Sequence, residues 1–163
     1  MAKEGQKKTV ELKEEKYTMQ NPGVRWYIKH SDRCRDRFGM MSREKYISGL
    51  LDNVILQPIK IENFDDKSED KKEVSIDGNK YTLVYKGNRW LIETEDKSKN
   101  DEGQFSQEIY IDNLLKDGLD NEINMDDFDK LSNVRDLVSK IESYNRSKEL
   151  QELVKEVESF LGA

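Results

Sequence analysis

Between Glu73 and Thr94 the apolar residues fall on alternate positions, and this constrains the fold more than any other feature of the chain. Val74 and Ile76 form one run, Tyr81, Leu83 and Tyr85 a second, and Trp90, Ile92 and Thr94 a third. Gly78-Asn79 and Lys86-Gly87-Asn88 separate them, and Gly and Asn accept the positive φ of tight antiparallel turns. The expected structure is a three-stranded antiparallel meander, an inserted subdomain over residues 72–95.

Around this segment the spacing is mostly helical. Val10 and Leu12, then Tyr17 and Met19, alternate with polar residues and predict two short N-terminal strands. Asn21-Pro22-Gly23 opens a helix, with Asn21 as N-cap and Pro22 in the first turn. Its apolar stripe is Val24, Tyr27, Ile28, Ser31, Cys34 and Phe38, ending at Gly39. Ser42 caps a second helix that buries Tyr46, Ile47, Leu50, Leu51 and Val54, with Gly49 a mild weakness in its middle. Asn63 to Asp70 reads as an acidic loop and Glu95 to Gln104 as a mobile linker. Phe105 to Leu115 fits a strand or a helix, with a helix capped by Ser106 the preferred reading, and residues 126–163 hold two C-terminal helices. The second of these starts around Arg146 or Ser147 and buries Leu150, Leu153, Val154, Val157 and Leu161. No internal repeat is read. The fold class is α+β: one domain over 1–163, helical, with short N-terminal strands and the inserted meander.

Leu, Ile, Val and Phe make up about a quarter of the residues, enough for collapse, while 38% charged residues leave a thin core under a large solvated surface. A single cysteine, Cys34, excludes an intramolecular disulfide, and no signal peptide or membrane-spanning run is read. A cytoplasmic location is expected. The net charge of −6 works against nucleic acid and anionic membranes, whose binding rests on Lys and Arg neutralising phosphates.

Reactive side chains are few. His30, the only histidine, lies four residues before Cys34, but helical projection places it well off the stripe that holds the cysteine, so a structural cysteine is expected rather than a Cys–His dyad. The acidic segment Asp117 to Ile123 does not satisfy a calcium loop, because neither register places ligands and glycine correctly. Zinc spacings, phosphate-binding glycine loops and hydrolase elbows are not found. The reading is a chain that is not an enzyme, without metal or cofactor.

The unusual residues gather on the first helix. Residues 22–45 carry a net charge of +4, and Trp26 projects among Arg25, Lys29, Arg33 and Arg37. An exposed Trp among arginines is a common composition for a protein-binding hot spot, and these five residues are the candidate partner-binding surface. Burial of Trp26 inside the fold is the competing reading.

The stretch Tyr17-Thr18-Met19-Gln20-Asn21-Pro22-Gly23-Val24-Arg25-Trp26-Tyr27, followed by a helical hairpin and Asn53-Val54-Ile55-Leu56-Gln57-Pro58, resembles the tail assembly chaperones of long-tailed bacteriophages and prophages of Gram-positive bacteria. The resemblance covers roughly residues 9–64. It implies a protein of the host cytoplasm that binds the tape measure protein and assists polymerisation of the tail tube protein, with room for a homo-oligomer. A virion component of the head–tail connector or tail tip, and a nucleic-acid-associated prophage regulator, are the alternatives.

Overall fold

The computed structural model describes residues 3–66 and 69–163; the ends of the basic N-terminus (1–2) and the middle of the acidic loop (67–68) lie outside them. The chain forms two compact units, Met1–Asp65 with Ser147–Ala163, and Asp66–Arg146. In the first unit, β1 (Lys7–Leu12) and β2 (Glu15–Gln20) form an antiparallel hairpin, followed by α1 (Val24–Arg33), α2 (Arg43–Asn53) and a 3-10 turn at Ile61–Phe64. The second unit contains the hairpin β3 (Lys71–Ile76) and β4 (Asn79–Val84), then α3 (Asn88–Lys97), α4 (Gln107–Asp117) and a 3-10 turn at Met125–Asp127. Two helices end the chain: α5 (Leu131–Asn145), which belongs to the second unit, and α6 (Lys148–Leu161), which belongs to the first.

The class is α+β, but the meander is not there. Each unit has its own two-stranded sheet, and the expected third strand, Trp90–Thr94, lies inside α3. Trp90, Ile92 and Thr94 alternate, yet the buried residues are Asn88, Leu91 and Thr94, at helical intervals. A run of five residues fits either period. What decides is the entry to the segment. Gly87 has φ 94°, ψ 174° and stands at the N-cap of α3, and the side chain of buried Asn145 accepts the N–H groups of Lys86 (2.7 Å) and Gly87 (3.1 Å). These donors are therefore not free to close a hairpin turn. The hairpin turn between β3 and β4 is Asp77-Gly78, both at positive φ.

The two units are copies of one plan. Residues 7–64 align without a gap on 71–128, each residue 64 positions from its counterpart, so the chain contains the internal repeat that the sequence reading missed. The shared positions are those the fold needs. Tyr17/Tyr81, Gly23/Gly87, Arg25/Arg89, Trp26/Trp90, Gly39/Gly103, Ser42/Ser106, Tyr46/Tyr110, Leu50/Leu114, Leu51/Leu115 and Phe64/Phe128 are identical. Ser42 accepts from Lys45 N–H as Ser106 does from Ile109 N–H, both at 3.3 Å. Asp36 Oδ1 accepts from Phe38 and Met40 N–H, and Asn100 Oδ1 from Glu102 and Gln104 N–H, each forming a tight turn that ends on a glycine at positive φ. The expected mobile linker is therefore the last turn of α3 followed by this ordered turn.

The covering helices are copies as well, 16 residues apart. Val134/Leu150, Leu137/Leu153, Val138/Val154, Ile141/Val157, Glu142/Glu158 and Tyr144/Phe160 correspond. Within the first unit α6 packs on β1, α2 and the Ile61–Phe64 turn, burying Leu150, Leu153, Val154, Val157 and Phe160; Phe160 takes the place expected for Leu161. Within the second, α5 packs on β3, β4, α3 and α4 and buries Val134, Leu137 and Ile141. Each such aliphatic side chain contributes about 1.5–3 kcal/mol.

Where the copies differ, paired changes compensate. Lys86 has an N–H that Asn145 accepts, while its counterpart Pro22 has none and the residue corresponding to Asn145 is Leu161. Asn145→Leu should therefore cost about 1–3 kcal/mol in denaturant unfolding by stranding the Lys86 and Gly87 donors, with no comparable loss for Leu161→Asn.

Candidate partner-binding site

Helix α1 ends short of the expected stripe, which ran to Phe38: the chain leaves the helix at Cys34 and turns through Asp36, whose Oδ1 accepts the Phe38 and Met40 N–H groups. It opens on Gly23, at φ 101°, and Asn21 Oδ1 accepts the Gly23 N–H at 2.8 Å, so Asn21 shapes the turn before the helix instead of capping it. No α1 residue is fully buried. The face turned to the unit carries Trp26, Tyr27, His30 and Ser31, all partly covered.

The expected stripe is only half right: Tyr27, Ser31 and Cys34 face the unit, and the other three members do not. Val24 (70% exposed), Ile28 (54%) and Phe38 (48%) lie open, whereas the Trp26 ring stacks on His30 at 4.9 Å and 13°. His30 in turn stacks on Tyr46 at 5.8 Å, and Tyr27 meets Tyr46 edge-on with their hydroxyls 3.0 Å apart. A flat aromatic ladder from α1 to α2 is favoured over aliphatic packing because His30 anchors it: Nε2 donates to the Tyr46 carbonyl at 2.9 Å. Of the five candidate residues, Arg25, Lys29, Arg33 and Arg37 are exposed and Trp26 stands apart from them, on the inner face. The open face of α1 therefore joins Arg25, Lys29 and Arg33 to Val24 and Ile28. The guanidinium of Arg37 lies 4.8 Å over the Phe38 ring beside it.

His30 and Cys34 are brought together, against the projection from sequence. Sγ lies 3.7 Å from both Nδ1 and Nε2, an equal spacing that is not a hydrogen bond aimed at either nitrogen. Burial pushes the Cys34 thiol up from its ordinary pKa, away from the reactive thiolate. The second unit has Thr94 and Ser98 at these places, which supports a packing role for the pair.

Gly49 is no mild weakness. A Cβ there would lie 1.9 Å from His30 Cε1, so glycine makes room for the imidazole. The counterparts are Thr94 and Asn113, a smaller residue facing a larger one. Gly→Ala in a helix normally stabilises by about 1 kcal/mol; Gly49→Ala should instead destabilise by about 1–3 kcal/mol. In a His30→Thr background the same change should be neutral or stabilising, and a double-mutant cycle in urea measures the coupling.

Across each unit a buried tyrosine ties the helical pair to its covering helix. Tyr46 Oη donates to Glu158 at 2.9 Å and Tyr110 Oη to Glu142 at 2.7 Å; Tyr17 Oη donates to Glu149 at 2.8 Å. Burial raises all three tyrosine pKa values above the usual 10, followed by the carboxylate partner for Tyr17 and Tyr110 and by the Tyr27 hydroxyl and then Glu158 for Tyr46. In the unfolded chain these phenols ionise near pH 10, before the folded ones do. Their contribution is complete below that pH and is lost progressively from there up to the higher pKa of the folded phenols. Stability in urea should fall above about pH 10, and Tyr46→Phe with Tyr110→Phe should flatten that fall.

The acidic segment 117–123 is spent on structure. Leu119 bridges to Leu83, Asn121 Oδ1 accepts from Thr82 N–H at 2.9 Å, and Asp120 pairs with Lys71 at 2.7 Å. Among the described residues no group of three or more His, Cys, Asp or Glu converges as a metal site would, and no helix is long and apolar enough to cross a membrane. A concavity of about 400 Å³ between the β3–β4 hairpin and α5 is lined by Lys72, Asp136, Lys140 and Tyr144 among others; it holds neither His30 nor Cys34. No protein-family model, curated protein or solved structure matches the chain.

Proposed function

We propose that this chain is a non-catalytic tail assembly chaperone of a long-tailed phage or prophage, which binds the tape measure protein and assists tail tube polymerisation in the host cytoplasm. The observation that carries this reading is the exposed apolar pair Val24 and Ile28 within the cationic face of α1; the two stretches of the resemblance, 17–27 and 53–58, also form one piece. Gln20 N–H donates to Val54 O at 2.8 Å and Leu56 N–H to Thr18 O at 2.9 Å, flanking a bridge between Met19 and Ile55. Gln57 closes the end, accepting from Thr18 N–H and donating to Lys16 O. The second unit pairs 82–84 with 118–121 in the same way, so this pairing belongs to the plan of both units.

The open face of α1 suits such work. A client with long apolar helices needs its surface covered without being trapped, and Val24 and Ile28 within a charged rim offer a small apolar contact on a well-hydrated body. The catalytic alternative has little to draw on, since the one histidine is held in the aromatic stack and the thiol beside it is buried.

Co-expression tests the proposal. The tape measure protein should move from the insoluble to the soluble fraction when this chain is present, and Val24→Ser with Ile28→Ser should reduce that shift severalfold while the chain stays folded. Mass spectrometry of purified particles should find the chain missing; its presence in fixed copy number would assign it to the virion instead.

A further inference from the structure

A two-stranded sheet has two edges, and in the first unit only the β2 edge is taken. Around the bridge from Met19 to Ile55, Gln20 N–H donates to Val54 O and Leu56 N–H to Thr18 O. The backbone groups of Thr18 and Gln20 therefore point away from β1, and in an antiparallel ladder the residues opposite them, Thr9 and Lys7, point away from β2. Glu11 completes the row, because Lys16 opposite it is likewise engaged from the other side, by Gln57. Lys7, Thr9 and Glu11 thus turn their N–H and C=O groups outward, and all three residues are exposed. Among the described residues no hydrogen bond occupies those groups. The strand Lys7–Leu12 has no proline and keeps an unbroken register, so nothing in its backbone blocks a further strand.

The side chains along this edge complement their own copy. When β1 runs antiparallel to itself with Thr9 on the two-fold axis, Lys7 faces Glu11 of the second copy and Glu11 faces its Lys7. All three opposed pairs then exchange hydrogen bonds in both directions. The central row becomes four threonines, since the Thr9 and Thr18 hydroxyls already lie 3.1 Å apart within one hairpin. The flanking rows alternate in charge, with Lys16 on one side of Glu11 inside the hairpin and Lys7 of the second copy on the other. A shift of the register by two residues in either direction loses one hydrogen-bonded pair and both Lys–Glu pairs.

The second unit has the same edge with different side chains. β3 offers Lys71, Glu73 and Ser75 at the outward positions. The inward residues Lys8/Lys72 and Val10/Val74 are identical in the two copies, whereas Thr9/Glu73 and Glu11/Ser75 differ. β3 on itself would set Glu73 against Glu73, and β1 on β3 leaves one Lys–Glu pair, Glu11 with Lys71. Like charges directly opposite destabilise a strand pair, so β1 on β1 is the favoured match.

We infer that two molecules pair through β1, antiparallel about Thr9, to form a four-stranded sheet in the order β2-β1-β1-β2. The contact is isologous, so each molecule uses the same edge and growth stops at the dimer. A six-residue edge buries little surface, which makes the dimer weak and dependent on concentration. It uses no residue of the α1 face and stands or falls independently of the client proposed above.

Sedimentation of the full chain over a concentration series tests this. The mass should rise from monomer to dimer and no further, and the amides of Lys7, Thr9 and Glu11 should exchange more slowly with solvent as the dimer forms. Thr9→Pro removes an outward N–H without touching the β1–β2 hydrogen bonds and should hold the chain at monomer. Glu73→Pro, the same change on β3, should leave the dimer as it is. Lys7→Glu and Glu11→Lys should each weaken dimerisation about tenfold by setting like charges opposite each other. Mixed together, these two variants should form a heterodimer, because every pair then joins opposite charges. Both changes in one chain should restore the homodimer. Thermal unfolding checks that each variant is folded, and the charge variants decide the matter if Thr9→Pro is not. A chain that stays monomeric at the highest concentration overturns the inference, as does growth beyond the dimer, a dimer lost in Glu73→Pro or untouched by Glu11→Lys, or a mixture that yields no heterodimer.

Discussion

Each unit depends on a helix that arrives from the end of the chain. A two-stranded hairpin is marginal alone, and a pair of short helices beside it leaves an apolar surface of Tyr46, Leu50 and Leu51, or of Tyr110, Leu114 and Leu115, on one side. Closing that surface takes α6 in the first unit and α5 in the second. The closure has two parts. Aliphatic positions spaced along each helix supply the burial, and one glutamate, Glu158 or Glu142, accepts the hydroxyl of buried Tyr46 or Tyr110. That the pairing recurs at equivalent places shows that the tyrosine and the glutamate are one device, found twice.

The order in which the chain supplies these helices has a consequence. The first unit is completed only by residues 147–163, after the whole second unit, while the second is continuous from Asp66 to Arg146. During synthesis the second unit can close before the first, whose contacts span the longer separation in sequence and carry the larger loop-closure cost.

Much of this was legible in the sequence. The caps Ser42, Ser106 and Ser147 and the buried faces of α2 and α6 follow from local spacing, and the β1–β2 hairpin stands where alternation puts it. The duplication was legible too, through a constant offset and pairs such as Arg25-Trp26 and Arg89-Trp90. It is easily missed because the identities are scattered: core, turn and cap positions were held, while the exposed positions between them changed freely. The candidate site was legible in composition but not in orientation. Its cations are on the surface as expected, but Trp26 lies on the other face of the helix from Arg25 and Lys29.

Sequence alone therefore determined the caps of α2 and α4, the residues of α2 and most of those of α6 that turn inward, and the chain reversal at Gly78, because these rest on contacts within a few residues. Only tertiary structure decided that Trp90–Thr94 is helix, that α1 faces inward with its aromatic side, and which C-terminal helix completes which unit. Those choices rest on Asn145 reaching Lys86 and Gly87, on His30 fitting the space left by Gly49, and on glutamates meeting tyrosines far away in the chain. None of these partners lies within reach of a local period, so the same short run of residues is compatible with either outcome until its neighbour is in place.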